Sequence, residues 1–460
     1  MTNTFLSVSG AGLQMPRRRT RTITAAGAAA ILLLGACDTG KLLEITDPDK
    51  ATPASLETRQ ALDVVRAGAI GDFAVGYHGS SASEGQITYS GLLADEFTLA
   101  ETFPTRQEID QRAMQSDNSS LAANFRDIQR GRASASFAAG QYATLDPNNA
   151  SRAEMLNLAG FAAVLLGENW CSGVPFSEIS SSGATIFGSP QTTAEIFTVA
   201  VGKFDSALTI ATAAGTSGVA HANSAKIGKG RALLNLGNAA AAAAAVAGVP
   251  TTFNYSIFAS ANTARQNSGT YAWQYLSRRW TVSDKEGANG LPYRSDSDPR
   301  VPFVRGTGGL AVGFDATTAL YLQLKYPDRS SSTPLAQGIE ARLIEAEAAL
   351  KAGNTTDFLI GLNAARSAVG QPALSAAALP ATASSQLDLL FKERAYDLWL
   401  TSHRLGDLRR LIRQYGRPAN TVFPTGEYFK GGQFGPDVNL LIPLDERNNP
   451  NFTECLDRNA

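Results

Sequence analysis

The sequence predicts a mainly helical, all-α fold, built from helical hairpins of tetratricopeptide type and interrupted by one irregular, aromatic-rich insertion. Three observations carry this. Stretches such as 121–145 and 151–170 place apolar or small residues at i, i+3, i+4 and i+7, the spacing of one helix face. A helix end recurs at identical spacing: Lys226, Ala232, Leu234, Gly237 and Asn238 return as Arg342, Ala348, Leu350, Gly353 and Asn354. Residues 250–335 break the helical period and are rich in aromatic residues, Gly, Asn and Asp, a stretch too long for a plain connector.

The chain opens on a basic cluster, Arg17, Arg18, Arg19 and Arg21, followed by an uncharged run from Thr22 to Ala36. That run has the length of a secretory signal and is short for a membrane span, which needs about 20 residues. Leu34-Gly35-Ala36-Cys37 has the bulky-small-small-Cys order of a bacterial lipoprotein signal. The expectation is a signal peptide over 1–36, with Met15 as an alternative true start. Cys37 is then the lipidation site, a polar tether follows over 37–55, and a single domain spans 56–460. Lipid on Cys37 anchors a chain to a membrane without spanning it, and no further long apolar run is apparent.

Composition narrows the partners. Net charge is −1 and 18% of residues are charged, which offers no basic face for nucleic acid. Of the three cysteines, Cys171 and Cys455 remain after Cys37. In an exported protein they suit a disulfide, and two unpaired buried thiols are the alternative. His78, His221 and His403 are scattered singly, so no metal-ligand spacing is present and no cofactor is implied.

The helical units follow in order. Asp146-Pro147-Asn148-Asn149 separates 121–145 from 151–170, a turn signal with a helix start behind it. The stretches 193–211 and 221–248 form the next unit, and 339–370 a later one. The repeated Leu-x-x-Gly-Asn end reads as a helix closing on glycine, which takes positive φ without strain, before a short turn into the partner helix. The insertion of 250–335 projects from this scaffold, and function often sits on such loops.

Six segments also resemble the SusD/RagB family of outer-membrane lipoproteins, in that family's order. They are "SRAEMLNLAGFAAVLLGENWCSGVPFS", "SDSDPRVPFV", "YLQLKYPD", "ARLIEAEAALKAGN" with "LNAARSAVG", "LLFKERAYDLWLTSHRLGDLRRL" and "NLLIPLDERNNPNF". The likeness covers nearly the whole mature chain. One departure is Ser402-His403 before Arg404, where relatives often carry Glu-Gly. The resemblance implies an arc of four tetratricopeptide-like helical pairs with an irregular ligand-facing part. It implies a surface-facing outer-membrane protein that captures a polymeric nutrient, most often a glycan. Its partner would be a SusC-like TonB-dependent transporter, on which it sits as a lid, and it would be a binding protein and not an enzyme.

Sugar rings present apolar C–H faces and hydroxyls, which suit flat aromatic side chains with polar neighbours. Tyr271, Trp273, Tyr275 and Trp280 cluster in "GTYAWQYLSRRW", with Arg278, Arg279 and Asn267 nearby. Tyr293 is a weaker candidate, and Tyr77, His78 and Tyr89 offer a second loop. The competing reading makes the tryptophans core anchors of the insertion. Glu393, Arg394, Asp397, Arg404, Asp407 and Arg410 crowd a late helix, where Arg404–Asp407 and Asp407–Arg410 fall at i, i+3 and suit ion pairs. A glycosidase acid pair there, or a half metal site at His403 and Asp407, would need this packing helix to border a cleft. "GTGGLAVG" has Gly-x-Gly spacing without the strand and helix of a nucleotide site. With no nucleophile triad discernible, a hydrolase is disfavoured. The remaining alternative is an envelope lipoprotein scaffold that uses its repeats for protein–protein binding only.

Overall fold

Side-chain caps and left-handed turn residues set the helix boundaries. The computed structural model describes residues 58–180 and 184–460; Cys37, the apolar lead and the tether lie outside the described residues. In chain order the main helices are α1 (Leu62–Tyr77), α2 (Ser119–Leu145), α3 (Ala150–Asn169), α4 (Thr193–Ala213) and α5 (Val219–Asn235). They continue as α6 (Ala239–Val246), α7 (Gly338–Lys351), α8 (Thr355–Ala368), α9 (Ala383–Asp397) and α10 (Arg404–Tyr415). Asn118 starts α2 by accepting from the backbone N–H groups of Ser120 and Leu121, and Asn149 starts α3 by accepting from that of Ser151. Thr192 and Glu195 form a reciprocal capping box at the start of α4, satisfying donors that a helix N-terminus otherwise leaves free.

The repeated helix end is identical in its hydrogen bonds. Gly237 and Gly353 take φ of 81° and 74°. Gly237 N–H donates to Leu234 O and Asn238 N–H to Leu233 O, while Gly353 and Asn354 donate to Leu350 and Ala349. Asn238 and Asn354 then cap the following helices through Ala241 N–H and Asp357 N–H. One pentapeptide logic thus closes α5 and α7 and opens α6 and α8.

Each helix from α1 to α8 packs on the next, giving four successive pairs: α1 with α2, α3 with α4, α5 with α6, and α7 with α8. Small residues permit the approach. A Cβ on Gly131 would fall 2.8 Å from Phe73 Cα, and one on Gly76 would fall 2.8 Å from Ile128 Cα, so α1 and α2 meet backbone to backbone. α4 is long and apolar enough, by length and composition, to cross a membrane, which corrects the expectation that no such run follows Cys37. Its Ile196, Phe197, Ala200 and Phe204 are buried between α3 and α5, while Thr198, Asp205, Ser206 and Thr209 are exposed.

The insertion is clasped at its base. Strand β2 (Asn254–Ile257) pairs antiparallel with β6 (Thr333–Gln337), Ile257 opposite Thr333, so the chain enters and leaves side by side. Between them, β3 (Trp280–Val282) pairs with β1 (Phe97–Leu99), and β4 (Phe303–Arg305) with β5 (Tyr321–Gln323). The β1–β3 ladder joins the insertion to the segment between α1 and α2. The described residues gather into one compact unit.

Buried ion pairs tie the insertion to α9, and α9 to α10. Arg300 reaches Glu393 at 2.6 Å and Asp397 at 3.1 Å, and Arg366 also pairs with Glu393. Asp407 pairs with Arg410, as its spacing suggests, and with Arg394. The expected Arg404–Asp407 pair is not formed, because Arg404 turns to Asp95 at 2.6 and 2.7 Å. His403 faces Glu340 at 3.1 Å and Thr401. These carboxylates are occupied by cations inside a packed core, so this helix presents neither an open acid pair nor a metal site. Among the described residues no His, Cys, Asp and Glu grouping suits a metal ion.

Cys171, just after α3, is bonded to Cys455 in the C-terminal tail, with Cα atoms 5.8 Å apart. Around it Leu456 N–H donates to Ser172 O and Cys171 N–H to Leu440 O, both at 2.8 Å.

Candidate functional site

Four of the aromatic candidates lie in the core. Trp280 and Tyr293, and likewise Tyr77 and Tyr89, are fully buried, and His78 with them. Trp280 belongs to β3, all of whose residues are buried. Tyr293 packs edge-on against Tyr396 at 5.4 Å and beside Trp399. Tyr77 donates its hydroxyl to Pro334 O at 2.6 Å. Large rings supply the apolar area that an irregular insertion otherwise lacks, and burial leaves them no face for a ligand. Asn267 is buried as well, with Ser81 Oγ 2.6 Å from its amide.

Tyr271, Trp273 and Tyr275 stay partly exposed on a short helical turn. Tyr271 and Tyr275 stack at 4.8 Å, and Tyr275 donates its hydroxyl to Gln323 O at 2.6 Å. Trp273 donates its indole N–H to Ser80 O at 2.9 Å. Arg278 sits at φ of 56° and donates to Gly309 O at 3.2 Å.

The exposed aromatic surface beside them includes two residues that the sequence did not single out, Phe103 and Phe314, 43% and 46% exposed. Their ring centroids are 6.2 Å apart. The Arg279 guanidinium lies 4.0 Å from the Phe314 centroid and 4.7 Å from that of Phe103. The Arg106 guanidinium continues the series at 5.1 Å from Phe103 and 5.2 Å from Trp273. The result is a ladder in the order Phe314, Arg279, Phe103, Arg106, Trp273. Each cation–ring contact contributes roughly 0.5–2 kcal/mol, more as water is excluded.

Carboxylates fix the arginines. Glu101, fully buried, accepts from Arg279 Nη1 at 2.6 Å and from Arg106 Nη1 at 3.4 Å. Burial pushes the Glu101 carboxyl above its ordinary range, against the pull of both guanidiniums. Glu84 takes the other edge of Arg106, including Nε at 2.7 Å. Two cations thus face two carboxylates, and the platform presents apolar faces with no net charge.

Local chemistry places both rings. Phe103 precedes Pro104, the first residue of the short helix Pro104–Asp110; proline keeps its predecessor extended and outside the helix. Phe314 rides on a turn held by Asp315, which accepts from the N–H groups of Thr317 and Thr318 at 3.0 and 2.9 Å and pairs with Lys430. Phe-Pro before a helix and Asp in an Asx turn are readable signals. Neither says that two such loops converge.

The family model described as the SusD family matches residues 252–433, a span that holds Trp273, Arg279 and Phe314 but not Phe103. No curated protein matches the chain in sequence. Among solved structures, a SusD superfamily protein from Bacteroides thetaiotaomicron is 15% identical, with 87% of this chain and 100% of that one covered at a TM-score of 0.63. A SusD-like carbohydrate binding protein from Bacteroides vulgatus is 13% identical, with 86% and 97% covered at 0.60. A laminarin binding SusD-like protein is 14% identical, with 87% and 99% covered at 0.55. These likenesses establish the shared fold.

Proposed function

From the premise that this is a SusD/RagB-family chain, we propose that it captures a glycan on the Phe103–Phe314 platform, as a binding protein and not a catalyst. The observation that carries this is the exposed ladder of rings and neutralised arginines. It offers flat apolar faces to sugar C–H groups and no net charge to repel or select an ion. The laminarin-binding and carbohydrate-binding relatives of the same fold support the reading. The lipoprotein signal ending in Cys37 supports attachment at the outer membrane, and family likeness supports a role as lid of a SusC-like TonB-dependent transporter. Exposed aromatic and arginine surfaces also serve protein interfaces, and burial of Trp280 and Tyr293 removes part of the cluster that argued against a protein-binding scaffold, so titration against glycans and peptides decides between the two.

Calorimetric titration of the chain from Asp38 onward against a polysaccharide and peptide panel tests the reading. Binding to a glycan is expected, weakened about tenfold or more in Phe314→Ala and in Phe103→Ala, a loss of roughly 1.4 kcal/mol or more for each ring. Unchanged affinity in both variants, or binding to peptides alone, would sink the platform. The partner is tested separately: a transporter-sized β-barrel is expected to co-purify with the full chain from its native membrane, and recovery of the chain alone counts against the lid role.

A further inference from the structure

The turn that carries Phe314 also supplies Thr318 and Ala319 to a separate cleft of about 280 Å³, walled by Tyr321 and Phe429. The ionisable groups around it are of both signs: Asp284, Glu286 and Glu427 beside Lys285 and Arg294. The Arg294 guanidinium lies flat on Tyr321 at 3.8 Å. Such a set neither attracts a phosphate nor cages a cation.

Glu286 also lines the cleft, at 8% exposure. Its Oε2 accepts from Ser283 Oγ at 3.1 Å, the Thr98 hydroxyl lies alongside, and Oε1 has no partner at hydrogen-bond distance. Leaving a buried polar atom unmatched is costly. Burial, and then the neighbouring carboxyl of Asp110, push Glu286 well above the usual carboxylate range, which favours its protonated form, able to donate as well as accept. Asp284 contrasts with it. Against burial, the donors of Ser295 and Arg294 hold it below its usual range, with their N–H groups at 2.9 and 3.0 Å. A fixed anionic acceptor, a carboxyl with one oxygen left without a partner and aromatic walls together match a ring bearing several neutral hydroxyls.

We propose that this cleft is a second saccharide subsite, taking one neutral hexose-sized unit, a chain end or a branch, of the polymer that lies across Phe103 and Phe314. It rests on the glycan reading above, and the shared Phe314–Ala319 turn is what joins the two surfaces. An extended ligand engages both, so the second contact is made at high effective concentration.

The test uses the full chain titrated with a panel of neutral polysaccharides beginning with laminarin, with Phe314→Ala as the platform control. Glu286→Gln keeps a donor and an acceptor at the site and is expected to bind within about twofold of the unaltered protein. Glu286→Leu removes both and is expected to weaken binding about tenfold. Glu427→Trp changes an exposed residue and fills the cleft, so it tests the site even where Glu286→Leu does not fold; it too is expected to cost about tenfold. Wild-type affinity in the folded cleft variants, with binding lost in Phe314→Ala, overturns the subsite and leaves the platform standing. Failure of the unaltered chain to bind any polysaccharide overturns the glycan reading and this proposal with it.

Discussion

Asp407→Ala is expected to lower the unfolding free energy by about 3–5 kcal/mol, the cost of leaving buried charge without its partner. Asp407 accepts from Arg394 Nε at 2.7 Å and Nη2 at 2.9 Å, and from Arg410 Nη2 at 2.8 Å. All three side chains are almost fully enclosed. Arg410 keeps Glu347 as a second partner, so the larger penalty falls on Arg394, which has no other ion pair among the described residues. Urea denaturation of the two proteins measures the difference, and matching midpoints would overturn the assignment. The pH dependence has a definite sign. Burial alone would raise the Asp407 carboxyl, but Arg394 and Arg410 overcome this and hold it far below its usual value. A carboxyl depressed in the folded state stabilises fully above the ordinary range near pH 4. That contribution shrinks as pH falls below this range and vanishes only beneath the depressed value. The gap between wild type and Asp407→Ala should therefore be constant from neutral pH to about pH 5 and close only in strong acid.

The helical scaffold was legible because its signals are local. Gly237, Asn238 and their counterparts Gly353 and Asn354 act on backbone groups within five residues of themselves, so the repeat in sequence is a repeat in structure. The same locality explains Asp407 with Arg410, one turn apart on α10. Arg404 departs from that rule because Asp95 arrives from a distant segment and offers both oxygens. A short-range pattern carries no information about such an arrival.

The platform was half legible for a related reason. Composition pointed to 250–335 and to Trp273, but in an irregular chain spacing does not tell an inward ring from an outward one. Trp280 faces inward because β3 pairs with β1, an element far away in sequence. Phe103 has no aromatic neighbours in its own segment and gains its role only where Arg279 and Phe314 are brought to it. Local chemistry presents each ring outward; the tertiary fold makes them one surface.

Breaking the Cys171–Cys455 bond is the second large effect, an expected loss of about 2–5 kcal/mol for Cys171→Ser with Cys455→Ser. The bond closes a loop with a sequence separation of 284, and a loop of that length confines the unfolded chain strongly. The native side adds to the argument. Residues 451–460 are mostly exposed and bury little that would hold them. Without the sulfur link the tail depends on Leu456 N–H to Ser172 O, on Asn439 Nδ2 to the carbonyls of Arg458 and Asn459, and on the Arg458–Asp437 pair. So few hydrogen bonds, each with one partner in a mostly exposed tail, open locally at low cost. The double variant should show a lower melting midpoint and fast hydrogen exchange at Leu456 N–H, while the glycan binding proposed at Phe103 and Phe314 is unaffected. An unchanged midpoint would mean that the tail packs firmly enough by itself. Slow exchange at Leu456 in the double variant would mean that the hydrogen bonds, and not the disulfide, hold the tail against α3.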